Sequence, residues 1–309
     1  MESHIFGPVP SRRLGRSLGI DLVPFKTCTY NCIYCQLGST TEQTCRGREW
    51  VPCEQVLEEL SRKLSLHTGI DHLTFAGSGE PTLHSRIGEL IRDIKQRTSV
   101  PVAVLTNGSL LWREEVRDAL LDADLVVPSL DAPDEHLFQR VNRPHRDLSF
   151  EQVLEGMVRF RERFKGRLWL EVFLLAGVTG MASEVKRIAR LAGSIQPDCV
   201  QLLTVTRPPQ EAFAEAVSRE HLKRFAGLFE GISAVVPETS PAAGDARFSA
   251  TRDQVLELLE RRPCTVQDIC RGLGIPTAEA GKYLEDLLAR GYLKTSRCNG
   301  ERFYLADPR

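Results

Sequence analysis

Near-continuous apolar runs, each closed by small or polar residues, are the feature that most constrains the fold of this chain. The first four are Leu18-Gly-Ile-Asp-Leu-Val-Pro-Phe25, Leu73-Thr-Phe75, Val100-Pro-Val-Ala-Val-Leu105 and Leu125-Val-Val127. Runs rich in β-branched residues without polar alternation read as strands buried on both faces. Further runs at Arg167–Leu175, Cys199–Val205 and Ile232–Val236 alternate with amphipathic stretches at Met181–Ala192 and Glu220–Phe229. Strands separated by helical patterns predict an α/β fold, a parallel sheet covered by helices. Six such βα units fit between Leu18 and about Phe229, too few for a closed eightfold barrel.

The residues just beyond each strand carry the chemistry. The second run ends in Ala76-Gly-Ser-Gly-Glu80, the third in Thr106 and Asn107, and the fourth in Ser129 and Asp131. Polar residues at the carboxyl ends of successive parallel strands share one rim, where ligands bind. Each also has a local reading, since Asn-Gly and Ser or Asp serve turns and helix caps throughout proteins. Glycines in the second turn let the backbone approach a ligand closely.

Directly after the first run comes Cys28-Thr-Tyr-Asn-Cys32-Ile-Tyr-Cys35, three cysteines within eight residues. Three thiolates on so short a loop can hold three irons of a [4Fe–4S] cube, leaving the fourth iron to chelate a small molecule. A structural zinc site asks for four ligands in paired units, and only Cys32-x-x-Cys35 resembles half of one. Cys45 and Cys53 come next without zinc-ribbon spacing and stay unassigned. The count of nine cysteines is odd, which argues against a disulfide framework in a chain of 309 residues.

The Cys-x-x-x-Cys-x-x-Cys loop after a first strand, with Tyr34 before the third cysteine, resembles the radical S-adenosylmethionine (SAM) superfamily. The resemblance implies a partial (β/α)6 barrel open on one side, a [4Fe–4S] cluster on Cys28, Cys32 and Cys35, and SAM as second cofactor. It implies that Gly77, Ser78, Gly79 and Glu80 receive the methionine ammonium of SAM, with Ser78 departing from the family's Gly-Gly-Glu. By the same resemblance Tyr34 packs near the adenine and Ser129 and Asp131 meet the ribose, while Thr106 and Asn107, from their place on the rim, are the remaining cofactor-site candidates. Reductive cleavage of SAM to methionine and a 5′-deoxyadenosyl radical, then hydrogen abstraction from substrate, is the implied activity. A reductant such as flavodoxin or ferredoxin is the implied partner.

Two further stretches, Phe6-Gly-Pro-Val-Pro-Ser-Arg-Arg-Leu-Gly-Arg-Ser-Leu-Gly19 and Arg140-Val-Asn-Arg-Pro-His145, are joined by Gln201-Leu-Leu-Thr-Val-Thr-Arg-Pro-Pro209. Together they resemble a branch of iron–sulfur oxidoreductases related to the wyosine-forming tRNA enzymes, over roughly residues 5–240. Those enzymes carry a second cluster on upstream cysteines, and this chain has none before Cys28, so their reaction is not transferred. Arg12, Arg13, Arg16, Arg140, Arg143, His145 and Arg207 are candidate phosphate or carboxylate contacts near the barrel mouth. Asn142 and Arg143 are the candidate substrate contacts, since a loop there closes over the rim.

Composition changes at Pro237-Glu-Thr-Ser-Pro-Ala-Ala-Gly-Asp-Ala246, a linker without periodicity. The expected division is a core over 1–236, a linker over 237–250 and a small unit over 251–309. In the last, Thr251–Leu259 is an amphipathic helix, Thr265-Val-Gln-Asp268 opens a second with a capping box, and Pro276 stands near the start of a third through Leu288. Asn299-Gly300 then joins two strands as a tight hairpin, which makes a winged helix-turn-helix. Its basic residues are nearly balanced by acids, and Glu279, Glu285 and Asp286 face Lys282 and Arg290 on the third helix. That balance argues against DNA binding and leaves RNA or protein as the macromolecular partner.

A formal net charge of −1 provides no global pull towards nucleic acid or acidic membrane. No apolar run approaches the roughly 18 residues of a membrane span, and the amino terminus has no signal architecture, so a cytoplasmic, reducing compartment is expected. Three functional classes stay open: a radical SAM enzyme acting on RNA or another macromolecule, one acting on a small molecule or activating a protein, and an iron–sulfur transcriptional sensor.

Overall fold

The computed structural model describes residues 3–11, 13–237 and 250–307. Arg12 and the interior of the expected linker lie outside the described residues. Strands β1 (Ile5–Ser11) and β2 (Gly15–Ile20) form an antiparallel hairpin, followed by the two-residue strands β3 (Thr27–Cys28) and β4 (Glu42–Gln43). Then come α1 (Cys53–Leu66), β5 (His72–Phe75), α2 (Ile87–Arg97), β6 (Val102–Leu105), α3 (Glu114–Ala119) and β7 (Leu125–Val127). The run continues with α4 (Glu135–Val141), α5 (Phe150–Arg163), β8 (Arg167–Phe173), α6 (Ala182–Ile195), β9 (Cys199–Leu203), α7 (Arg219–Ala226) and β10 (Ala234–Val235). The remaining elements are α8 (Arg252–Arg261), α9 (Val266–Leu273), α10 (Thr277–Ala289), β11 (Leu293–Cys298) and β12 (Glu301–Ala306).

The main sheet runs β1-β2-β5-β6-β7-β8-β9-β10, parallel throughout except for β1. This is a mixed α/β fold with a mostly parallel sheet, as the alternating pattern predicts. Successive strand residues point to opposite faces, and the burial pattern reflects this. Leu18, Ile20, Leu73, Phe75, Val104, Leu170 and Leu202 pack with Leu60, Ile91, Phe160, Ile188 and Leu222 of the helices. Ala103, Leu125, Val127 and Trp169 look the other way and close on Leu14 from the β1–β2 turn. Burying each large side chain of this kind contributes about 1.5–3 kcal/mol.

The hairpin corrects one expectation. Arg16 does not stand at the mouth; β1 doubles back on β2, so the start of β2 lies at the amino ends of the parallel strands. Arg16 there donates its backbone N–H to Asp71 and its Nη1 to the Thr68 carbonyl, far from the cysteines along the strand direction. Arg13 is paired with Glu171 of β8 and reaches Gln201 of β9 at 3.5 Å. In a flat sheet β2 and β8 stand roughly 19 Å apart at about 4.8 Å per strand, beyond one arginine's reach. The sheet must therefore curl, with Arg13 and Leu14 inside the curve.

Helix ends obey sequence signals. Ser149 with Gln152, Thr251 with Gln254 and Thr265 with Asp268 form reciprocal capping boxes, each satisfying two otherwise orphaned N–H groups. Residues 250–307 gather around a separate core of Val255, Leu259, Ile269, Leu284, Leu287 and Leu293. Their hairpin pairs Cys298 with Glu301, so Asn299 and Gly300, at φ 51° and 80°, make the two-residue turn. Both positive angles are what a type I′ turn needs.

Candidate active site

Cys28 ends β3, and Cys32 and Cys35 lie on the loop between β3 and β4, beside the carboxyl ends of β5, β6 and β7. Segment 141–144, after α4, pins this loop. Asn31 N donates to the Asn142 carbonyl at 3.0 Å, Ile33 N to Val141, and His145 N to Thr29. Glycine is obligatory where the second turn meets the loop. A Cβ on Gly79 would stand 1.8 Å from the Thr27 carbonyl oxygen, and one on Gly77 2.4 Å from the Asp21 carboxyl carbon.

Each sulfur accepts a hydrogen bond from a side-chain N–H. Asn107 Nδ2 lies 3.6 Å from Cys28 Sγ, Asn142 Nδ2 3.5 Å from Cys32 Sγ, and Lys26 Nζ 3.1 Å from Cys35 Sγ. Lys26 is 3 % exposed, and the backbone holds it at φ 59°. A neutral thiol is a weak acceptor, whereas a metal-bound thiolate is stabilised and tuned by such donors. Burial, then the Glu80 charge, pushes the Cys28 thiol up to about 12. Burial, then Asp131, pushes Cys32 well above its ordinary value. These thiols stay protonated until a metal displaces the proton. Among the described residues no three Cys, His, Asp or Glu side chains converge to hold a single metal ion. A cube requires no such convergence, because it takes one sulfur per iron. The donor set fits an iron–sulfur cube.

Around the cysteines the expected rim residues are brought together, yet mostly bonded to one another. Glu80 is 1 % exposed and accepts from Thr82 N, Thr82 Oγ1 and Thr106 Oγ1 on one oxygen and from Asn107 N on the other. Burial raises its pKa against those donors. Asp131 accepts from Tyr34 Oη, Asn142 Nδ2 and Phe173 N, and burial raises it to about 6. The Tyr34 ring stacks on Phe173 with centroids 4.0 Å apart. Ser129 is half-buried and bridges β7 to Glu171 through the backbone.

Asn142, expected against substrate, is buried and shared between Cys32 and Asp131. Arg143 pairs with Glu211 at 2.6 Å, and its carbonyl accepts from Asn31 N and Gln43 Nε2. Arg207 contacts Gln36 and the Pro263 carbonyl, while His145 contacts Asp147. Cys45 and Cys53 are buried in the main core, Cys53 as the first residue of α1. Sequence reasoning passed over Asp21, which takes Ser78 N and Ser78 Oγ on one oxygen. A lone carboxylate inside the apolar run Leu18–Phe25 was the available signal. It also passed over Lys26, Thr29 and Glu171. A cavity of about 800 Å³ lined by Lys95, Asp124, Arg161, Lys165 and Asp198 lies at the opposite, amino ends of the strands.

Comparison with known proteins gives the family. The profile of the Radical SAM superfamily matches residues 22–192. A UPF0026 protein of Helicobacter pylori is 37 % identical over 98 % of this chain and 97 % of its own length. A Brachyspira hyodysenteriae protein named GTPase Obg is 39 % identical over 98 % of this chain, which spans only 45 % of that protein. A GTP 3′,8-cyclase of Chlorobaculum tepidum is 32 % identical over 54 % of this chain and 48 % of its own. Among solved structures, a radical SAM methyltransferase from Sphaerobacter thermophilus shares the fold, with a TM-score of 0.56 at 20 % identity over 74 % of this chain and 67 % of that one. The chain belongs to the radical SAM superfamily, whose members use a [4Fe–4S] cluster and S-adenosylmethionine, and within it to the UPF0026 proteins.

Proposed function

We propose that this chain is a radical SAM oxidoreductase that abstracts hydrogen from a macromolecular substrate, RNA in the first instance, at the carboxyl ends of a partial (β/α) barrel. The observation that carries the reading is the one nitrogen donor aimed at each of three cysteine sulfurs. Cys28, Cys32 and Cys35 would hold the [4Fe–4S] cluster, which together with SAM supplies one-electron cleavage of the sulfonium to methionine and a 5′-deoxyadenosyl radical.

The chain's own residues do the positioning. Asn107, Asn142 and Lys26 stabilise negative charge on the sulfurs. Glu80, saturated by Thr82, Thr106 and Asn107, acts as a strut that fixes Asn107, so the backbone carbonyls of Gly77 and Gly79 would take over the ammonium contact that the family resemblance gives to the whole segment. Asp131 fixes the Tyr34 phenol, and Phe173 fixes its ring, for stacking beside the adenine; Ser129 stays available for ribose. Arg13, Glu171 and Gln201 line the inner curve of the sheet, beneath the rim at which substrate would enter.

The division at 237–250 would separate this core from a winged helix-turn-helix formed by α8 to β12, which grips the substrate. Support for RNA comes from the resemblance to the wyosine-forming tRNA enzymes, and the third helix, with Glu279, Glu285 and Asp286 against Lys282 and the following Arg290, argues against DNA. Flavodoxin or ferredoxin as reductant and a cytoplasmic setting complete the reading. Among the described residues no helix is long and apolar enough to cross a membrane. A small nucleotide substrate is the second reading, favoured by the likeness to a GTP 3′,8-cyclase.

The test is anaerobic reconstitution with iron and sulfide, then SAM and dithionite, with 5′-deoxyadenosine as the product sought. Its absence, with a cluster spectrum indifferent to SAM, rejects the enzyme in favour of a sensor. Nucleoside profiles of tRNA from a deletion strain and its parent then separate the two substrate readings.

A further inference from the structure

One side chain ties the C-terminal segment to the candidate cofactor turn. Arg261, the last residue of α8, places Nη1 3.3 Å from Asp21 Oδ2 and donates Nη2 to the Ser3 carbonyl at 2.5 Å. Its guanidinium also lies 4.5 Å from the centre of the Phe6 ring. Asp21 comes directly after β2, and its side chain is 8 % exposed. The same Oδ2 accepts from Ser78 N at 3.0 Å and from Ser78 Oγ. The Ser78 carbonyl takes Lys26 N at 2.8 Å, and Lys26 Nζ reaches Cys35 Sγ. Five contiguous groups thus run from the C-terminal helices to a cluster cysteine: Arg261, Asp21, Ser78, Lys26 and Cys35.

The segment is seated at a second place. Asn299 Nδ2, in the tight turn between β11 and β12, donates to the Val205 carbonyl just after β9, at 3.0 Å. Cys298 beside it packs with the group containing Ile33, Val141 and Val205. The C-terminal segment therefore touches both sides of the curled sheet, β1–β2 through Arg261 and the β9 end through Asn299.

We propose that Arg261 is a positioning residue for the SAM-binding turn, so that seating of the C-terminal segment and binding of SAM are coupled. The inference rests on the radical SAM reading of the site. Its physical basis is the state of Asp21. A carboxylate this buried is stable as an anion only with donors and a counter-charge around it, and Arg261 is the cation placed against it. Deprived of the guanidinium, Asp21 takes up a proton or turns towards water, and either change loosens its hold on Ser78. The carboxylate also packs directly on Gly77, where an added Cβ would stand 2.4 Å from its carboxyl carbon. By linkage, whatever seats the C-terminal segment favours SAM, and SAM favours seating by the same factor.

The experiment uses the full chain with Arg261→Gln, Arg261→Lys and Asn299→Gly, the last keeping the left-handed turn while deleting its donor. Hydrogen exchange of the cofactor-free protein reads the Ser78 and Lys26 amides directly. Arg261→Gln should speed both by about tenfold or more, and Arg261→Lys should recover part of the protection. In reconstituted protein, titration of SAM against the paramagnetic signal of the reduced cluster should show an apparent Kd raised about tenfold, roughly 1.4 kcal/mol. Asn299→Gly should weaken SAM when Arg261 is present and add nothing in the Arg261→Gln background. Unchanged exchange in Arg261→Gln, or an Asn299→Gly effect that persists in full without Arg261, overturns the proposal. If the wild-type signal ignores SAM, the function reading falls, and amide exchange alone decides whether Arg261 positions the turn.

Discussion

The two ends of the parallel strands carry the same kinds of residue and treat them differently. At the amino ends, Asp124 accepts the Val102 N–H and pairs with Lys95 at 2.6 Å, and Asp198 accepts Leu168 N and pairs with Arg161. These carboxylates are partly exposed, matched by partly exposed cations, and serve to start strands. At the carboxyl ends, Asp21, Glu80 and Asp131 are buried, and burial raises all three. Neutral donors surround Glu80 and Asp131, and three thiols stand beside them. An end assembled only for stability would resemble the first. The second concentrates groups whose charge is costly, a mark of chemistry rather than of folding. The largest difference is therefore one of solvent, not of composition.

That contrast can be tested in order of expected effect. Replacing Cys32 with Ala should reduce iron in anaerobically reconstituted protein to background and abolish 5′-deoxyadenosine formation; iron retained at wild-type level would remove the cysteine loop from the cluster. Glu80→Ala leaves four buried donors without an acceptor and should cost about 3 kcal/mol or more in urea unfolding, while Asn107 loses its fixed place. A loss below about 1 kcal/mol would mean that water replaces the carboxylate and that the strut is dispensable.

Asp131 gives a pH signature. Its folded pKa is near 6 because burial disfavours the charge, whereas unfolded it titrates near the ordinary value of about 4. Between these values the folded chain binds more protons than the unfolded one, so this residue's contribution to stability falls as pH rises through the window. The difference in unfolding free energy between wild type and Asp131→Asn should shift accordingly, with Asn gaining relative stability as pH rises from about 4 to about 6 and no further gain above that; a pH-independent difference contradicts it. Lys95→Ala at the other end should change stability by less than about 1 kcal/mol, and by less still in high salt. A larger loss would erase the contrast between the ends.

Much of this was legible because it is local. Three cysteines in eight residues place their sulfurs on one loop whatever the rest of the chain does. Residues at the ends of parallel strands must share a rim, which is why Glu80, Thr106, Asn107 and Asp131 were found. The capping box at Thr265 and the Asn299-Gly300 turn are likewise set by a few neighbouring residues. The arginines were not legible. Arg16 was expected at the mouth and lies at the far end, because an antiparallel hairpin reverses the chain before the first parallel strand. Asn142 and Arg143 were read as substrate contacts, and their side chains are spent on Cys32, Asp131 and Glu211.

By itself the sequence determined the alternation of strands and helices from the first parallel strand onward, the cysteine loop and the residue types on the rim, since these depend on periodicity and on neighbours a few positions apart. Only the tertiary structure decided which nitrogen meets which sulfur, that Glu80 turns inward, and that Arg261 reaches Asp21 across 240 positions of chain. Those pairings depend on how the sheet curls and where the C-terminal segment comes to rest. Both are set by packing summed over the whole molecule, which no short stretch of residues encodes.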